Sequence, residues 1–276
     1  MDISTLADSL SALLLSISVT AIAGGFLVGA IVGMTGVGGG SLMTPLLIGL
    51  MQVPPAIAVG TDLLFAALTK GFGSLSHWRY GQVDWRIVGQ MVGSSFLASL
   101  ATLVVLHVWL QDNDTGATAM AKAIRPALGV ALLLTALAVL FRARMHAAAQ
   151  RRPLFRDARS QRLATWVLGS IIGVLVTLSS VGAGAIGVTA LLLIYPLLPI
   201  RTIVGTDIAY AVPLTLVAGA GHALLGHFDL LLLLSLLVGS LPGIWLGARM
   251  STLLPERALR ALLCGCLTFA GIKFLA

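Results

Sequence analysis

Residues 97–110, 127–141 and 230–246 are each apolar on every side of the helix they would form. A helix in water needs a polar face and a helix in lipid does not, so these stretches commit the chain to a bilayer before anything else is read. The rest of the sequence agrees: of 276 residues, 58% are hydrophobic and 10% charged, against about 25% charged in a soluble domain. Apolar stretches fall at about 9–34, 41–52, 55–76, 87–110 and 122–141, then at 163–181, 184–198, 200–221, 229–248 and 257–275. They leave no length for a separate soluble domain.

The stretches repeat. Gly29, Val32, Val37, Gly38 and Gly40 recur 144 positions later as Gly173, Val176, Val181, Gly182 and Gly184. The register then slips by one. Val59-Gly60-Thr61-Asp62 returns as Val204-Gly205-Thr206-Asp207, and His77, Gly81 and Asp84 return as His222, Gly226 and Asp229, now 145 positions on. Order, spacing and residue type kept together over about fifty positions identify a duplication. The predicted organisation is a first transmembrane repeat at 1–141, an Arg-rich linker at 142–162 and a second repeat at 163–276. Each repeat holds five segments. The second of each is too short to cross a hydrocarbon core of about 30 Å at 1.5 Å per residue, and is expected to be tilted, broken or re-entrant.

An odd number of crossings per repeat would insert the second copy upside down relative to the first. Residues 142–162 carry Arg142, Arg144, Arg151, Arg152, Arg156, Arg159 and Arg162, which marks them as cytoplasmic. Counting outward, the loop with Arg79 and Arg86 falls inside, 112–118 outside, Arg201 inside, the loop with His222 and Asp229 outside, and Arg249 with Arg257 inside. Every basic loop lands on one side. The expected fold class is therefore an all-α polytopic membrane protein of two inverted-topology repeats with glycine-rich breaks or re-entrant segments, both termini outside, in a bacterial inner membrane. Residues 1–10 contain Asp2 and Asp8 but no base, so the first apolar stretch is expected to stay in the mature chain. The net charge of +7 sits in loops without stacking aromatics, which makes no nucleic-acid surface. Cys264 and Cys266 are expected to be small core residues pointing to different faces. Trp78, Tyr80, Trp85, Trp109, Trp166 and Trp245 fall near segment ends, as an aromatic belt does.

Chemistry is expected at the paired glycine breaks, Gly33-Met34-Thr35-Gly36-Val37-Gly38-Gly39-Gly40-Ser41 and Leu178-Ser179-Ser180-Val181-Gly182-Ala183-Gly184-Ala185. Unwound backbone at membrane depth survives only where protein buries it or water reaches it. Its N–H groups, the positive end of the following helix and the hydroxyls of Thr35, Ser41, Ser179 and Ser180 would hold an anion. The plainer reading makes the glycines close-packing contacts between helices. Asp62 and Asp207 each follow a break, two turns into an apolar helix, where a carboxylate is costly and a functional suspect. They are candidates for proton coupling, or for simple helix caps with Thr61 and Thr206 bonding nearby. Lys70 lies about 12 Å beyond Asp62 on the same helix, with Thr215 as its counterpart, and would either counter a bound anion or snorkel to the surface. His77 and His222 open short connections ending in Asp84 and Asp229. They are either gating groups or parts of a tight turn in which Gly81 and Gly226 supply backbone freedom and the Asp caps the next helix. As a metal site this pattern is short of ligands, and neither a metal nor a cofactor is expected.

The Gly36-Val37-Gly38-Gly39-Gly40-Ser41 run, the repeated Gly-Thr-Asp and the His77-Trp78-x-x-Gly81-x-Val83-x-Trp85 loop together resemble the sulfite exporter TauE/SafE family of membrane permeases. The resemblance covers nearly the whole chain. Its most specific parts are 36–45, 59–62 and 77–85. The second half is looser, with Ser179 and Ser180 standing where Thr35 and Gly36 stand in the first and Thr189 where Pro45 stands. It implies export of sulfur-containing anions such as sulfite or an organosulfonate. The expected protein is thus a proton-linked secondary exporter of a small anion, with the anion, protons and the lipid bilayer as its partners. The alternatives are a passive anion channel and an intramembrane hydrolase using Asp62 and Asp207 as a pair.

Overall fold

A computed structural model describes residues 19–35, 40–111, 116–155, 157–250 and 256–275. Within them every element is a helix: α1 (Val19–Thr35), α2 (Gly40–Gly49), α3 (Pro55–Arg79), α4 (Trp85–Gln111), α5 (Gly116–Arg151), α6 (Ala158–Ser179), α7 (Ala185–Ile194), α8 (Ile200–Leu224), α9 (Leu230–Met250) and α10 (Glu256–Leu275). Six of these, α3, α4, α5, α6, α8 and α9, contain stretches long and apolar enough to cross a membrane. The second helix of each repeat, α2 or α7, has 10 residues, roughly 15 Å, or half of a hydrocarbon core.

The linker expected at 142–162 is mostly helix. Ala147, Ala148, Ala149 and the arginines favour helix in water as well as in lipid, so α5 runs on to Arg151. Helix α6 starts at Ala158, where the Asp157 carboxylate accepts the Ser160 N–H at 2.9 Å as a cap. Little more than a turn separates the two helices.

The packing repeats when the first five helices are exchanged for the last five. Helix α1 packs on α9 as α6 packs on α4, α2 meets α10 as α7 meets α5, and α3 meets α9 as α8 meets α4. The α3/α8 and α5/α10 pairs map onto themselves. Small residues set the closeness of these contacts. A Cβ at Gly25 or Gly29 would collide with the backbone of Leu236 or Ser240, and one at Gly243 or Gly247 with that of Phe26 or Ala30. Positions rise together, so α1 and α9 are parallel. Gly169 and Gly173 likewise press on Met91 and Ser95, making α6 and α4 parallel. In α3 and α8 the order reverses, with Leu64 against Gly219 and Gly73 facing Ile208. It reverses too in α5 and α10, where Gly129 meets Gly271 and the Cys264 thiol donates to the Ala136 carbonyl at 3.6 Å. Equivalent helices of the two repeats, α3 with α8 and α5 with α10, therefore run antiparallel.

Two apolar clusters fill the interior. Leu63, Met91, Ile172, Leu191 and Tyr210 lie in one, and Met43, Leu47, Phe65, Leu128 and Leu236 in the other. Leu97, Val104, Val105, Leu137 and Phe269 are exposed on the outer surface, as lipid requires and water would not favour. Trp78, Tyr80, Trp85, Trp166 and Trp245 are exposed as well. Cys264 is half-buried but Cys266 is exposed. The expectation of two core cysteines thus fails for Cys266, because a spacing of two on a helix turns the second side chain about 200° away from the first.

Candidate functional site

Of the first glycine break, Gly36, Gly38 and Gly39 lie outside the described residues. Thr35 ends α1 and Gly40 and Ser41 open α2. The second break is described throughout. Helix α6 stops at Ser179, and Ser180 takes a left-handed conformation (φ 59°) with its N–H on the Val176 carbonyl at 2.7 Å. The Ser179 hydroxyl is spent closing this end, donating to the Leu175 carbonyl at 2.6 Å and accepting the Val181 N–H at 3.2 Å. The chain then passes through Gly182 and Gly184 at φ 124° and 131°, a region side chains rarely enter. A Cβ on Gly182 would meet nothing nearer than 3.7 Å. Its glycine serves the bend, not a close contact. Helix α7 then begins with no side-chain cap, so the first N–H groups of a buried helix carry their positive end without a side-chain acceptor.

Lys70 reaches this break. It is buried, and its ammonium donates to the Ala183 carbonyl at 2.9 Å, bridging from α3 to the second repeat instead of snorkelling outward. Asp62 and Asp207 are both within electrostatic reach of it. Contacts along the antiparallel α3 and α8 set Asp62 and Asp207 at different levels of the crossing, on either side of Lys70. Ser180 lies beside Asp62 outside hydrogen-bonding geometry, and Gly187 in the first turns of α7 lies against Asp207. Residues 180–187 therefore run past Asp62, Lys70 and Asp207 in turn.

The two carboxylates are held differently. Asp62 Oδ2 accepts both the hydroxyl and the backbone N–H of Thr44, the latter at 3.2 Å, while Oδ1 has no partner among the described residues. Asp207 is equally buried, yet neither of its oxygens has a partner there. At an offset of 144 the counterpart of Thr44 is Val188, which offers no hydroxyl. Thr189, its counterpart at 145, points its hydroxyl to the Ala138 carbonyl at 3.5 Å. Arg142 on α5 is also within electrostatic reach of Asp207.

The His-Gly-Asp loops dock across the repeats. Thr206 Oγ1 accepts the Asp84 N–H at 2.9 Å, and Thr61 Oγ1 accepts the Asp229 N–H at 3.2 Å. A Cβ at Gly205 would collide with the Gln82 carbonyl, and one at Gly60 with the His227 carbonyl. Each loop closes with an N–H bond of 2.9 Å to its histidine carbonyl, Gln82 to His77 and His227 to His222. Asp84 Oδ1 then accepts the Arg86 and Ile87 N–H groups and Asp229 Oδ1 that of Leu232, capping α4 and α9. One exchange between the loops alters how the histidine is held: His77 Nδ1 meets Gln82 Oε1 at 2.9 Å, whereas His222 faces His227 and neither Nδ1 has a partner among the described residues.

The sequence profile of the family described as Sulfite exporter TauE/SafE matches residues 21–274, essentially all of this arrangement. The chain belongs to the TauE/SafE family. Two proteins of Bacillus subtilis (strain 168) are similar over their whole length. "Probable membrane transporter protein YjnA" is 35% identical over 260 residues, 94% of this chain and 100% of that protein. "Probable membrane transporter protein YdhB" is 29% identical over 255 residues, 91% of this chain and 97% of that protein. No solved structure matches. This TauE/SafE chain is an integral membrane protein and a membrane transporter.

Two features escaped the sequence reading: the hold of Thr44 on Asp62 and the cross-repeat role of Thr61 and Thr206. For the last a signal existed. The Gly-Thr-Asp motif and the His-Gly-Asp loop share one offset of 145, as two parts that dock on each other's copies would.

Proposed function

We propose that this transporter is a proton-coupled secondary carrier that exports a small oxyanion, sulfite or an organosulfonate, across a bacterial inner membrane. One observation carries the reading: a buried lysine anchored on the helix break of the other repeat, with a buried carboxylate on either side of it along the crossing. Lys70 and the uncapped start of α7 would attract the anion. Thr35, Gly36, Gly38, Gly39, Gly40 and Ser41 would complete the facing break, with Ser180, Gly182 and Gly184 on this side. Asp62 and Asp207 would exchange protons as access alternates. The antiparallel run of equivalent helices supports an inverted repeat, and with the arginine-rich loops it supports a topology in which residues 142–162 would be cytoplasmic and both termini outside. Sulfite and outward direction follow the family's description. The separation of Asp62 from Asp207 along α3 and α8 leaves a hydrolytic dyad without its neighbour, since paired catalytic carboxylates share a site.

The test is flux of sulfite in proteoliposomes under an imposed pH gradient. Wild-type protein should accumulate the anion against its gradient, which a channel cannot do. Asp207→Asn should stay assembled and lose that accumulation by at least tenfold. Undiminished pH-driven flux in Asp207→Asn would sink proton coupling at this residue.

A further inference from the structure

Tyr210 stands three residues past Asp207 on α8, hence on the same face. It is fully buried, and its hydroxyl has no partner among the described residues. Its ring packs in the apolar cluster with Leu63, Met91, Ile172 and Leu214. Buried phenols ordinarily reach a hydrogen-bond partner, and an orphaned one costs the desolvation of the hydroxyl. The ring alone explains the packing, because the counterpart in the first repeat is Phe65, buried without any oxygen. The hydroxyl calls for a separate account.

Its surroundings supply one. Asp207 is an electrostatic neighbour of Tyr210, yet neither carboxylate oxygen accepts the phenol proton. Three buried oxygens on adjacent turns are thus open, and the two of Asp207 belong to a carboxylate that lies against the first turns of α7 and within electrostatic reach of Lys70. We infer that the Tyr210 hydroxyl donates to the transported anion, with its oxyanion oxygen as the acceptor, at a half-site that only the second repeat completes. The inference rests on the anion-carrier reading above and deepens it. Phe65 has nothing to donate, so the two half-sites bind unequally.

Tyr210→Phe tests this with a side chain the fold already accepts at the equivalent position. Purified wild-type and variant proteins are compared by thermal shift and by calorimetric titration, with sodium sulfite and with sodium methanesulfonate as probes. Without anion, the variant should melt at the wild-type temperature or above, since a stranded hydroxyl has been removed. With anion, its Kd should rise roughly ten- to a hundredfold, the usual cost of a hydrogen bond to a charged partner. An unchanged Kd overturns the inference and leaves the carrier reading standing. A variant that melts lower without anion, or fails to fold, overturns it too, by showing that the hydroxyl is bonded within the protein. A wild type that responds to neither probe overturns the carrier reading and the inference with it.

Discussion

Replacing His227 by glutamine should stabilise the protein, and most strongly in acid. The two docking loops have the same backbone: Gly81 and Gly226 at φ 65° and 79°, each followed by an N–H bond of 2.9 Å to the histidine five residues back. In one, that residue is Gln82, and its amide satisfies His77 Nδ1 at 2.9 Å. In the other it is His227. The His222 Nε2–H donates to the Thr177 carbonyl at 2.9 Å, which leaves Nδ1 as a bare acceptor with His227 as its neighbour. His227→Gln would bring the amide N–H to that acceptor, adding one neutral hydrogen bond of about 1 kcal/mol. That corresponds to about 2–4 °C in apparent Tm for a chain of this size. Burial pushes the His227 imidazole below its ordinary value. A base whose folded value is depressed has its full stability above the ordinary value, about 6.5, and loses it as pH falls through that value toward the folded one. Glutamine has no such loss. Thermal unfolding in detergent at pH 8 and pH 5.5 should therefore show an advantage for the variant that widens in acid. An equal or lower Tm at both values, or an advantage that shrinks in acid, would refute the account of the loop.

Gly205→Ala should cost about 1–3 kcal/mol, since the new Cβ runs into the Gln82 carbonyl and lies 3.2 Å from His77 Cβ, so the loop must lift off the helix; an unchanged melting temperature would show that this contact does not hold the repeats together. Asp157→Ala removes an exposed cap whose carboxylate the Ser160 N–H and hydroxyl hold below the usual range. A depressed acid stabilises above its unfolded value and stops doing so as pH falls through its folded one, so the variant should melt earlier at pH 7 and the gap to the parent should close as the pH is brought down into strong acid. A difference that persists in strong acid would assign the effect to something other than the charge.

Much of the fold was legible because lipid imposes so simple a rule. Stretches apolar on all sides have one use, and the duplicated glycines and Gly-Thr-Asp motifs aligned the halves. Helix ends were less legible. Hydropathy marks where lipid stops, and backbone hydrogen bonding does not stop with it. α5 continues to Arg151, well past its apolar stretch, and α3 to Arg79, most of a turn past its own. The cross-repeat docking of Thr61 on Asp229 and Thr206 on Asp84 joins residues 168 and 122 positions apart. No local pattern announces such a contact.

The site was legible as a pair and illegible as an unequal pair. In the sequence Asp62 and Asp207 carry the same motif and look interchangeable. What separates them is a threonine 18 positions before Asp62, on another helix. Because the register slips somewhere between Gly40 and Val59, the counterpart of Thr44 is Val188 on one count and Thr189 on the other. Only packing decides between them. α7 turns Thr189 toward α5, where it meets the Ala138 carbonyl, so Asp207 is left with no hydroxyl to hold it. An unheld carboxylate buried beside an orphaned phenol is destabilising unless something else comes to it. The one-residue slip that blurs the alignment is thus what leaves Asp207 without the hydroxyl that Thr44 gives Asp62, and on the proposed carrier reading it is this unheld carboxylate that stands open to a proton and an anion.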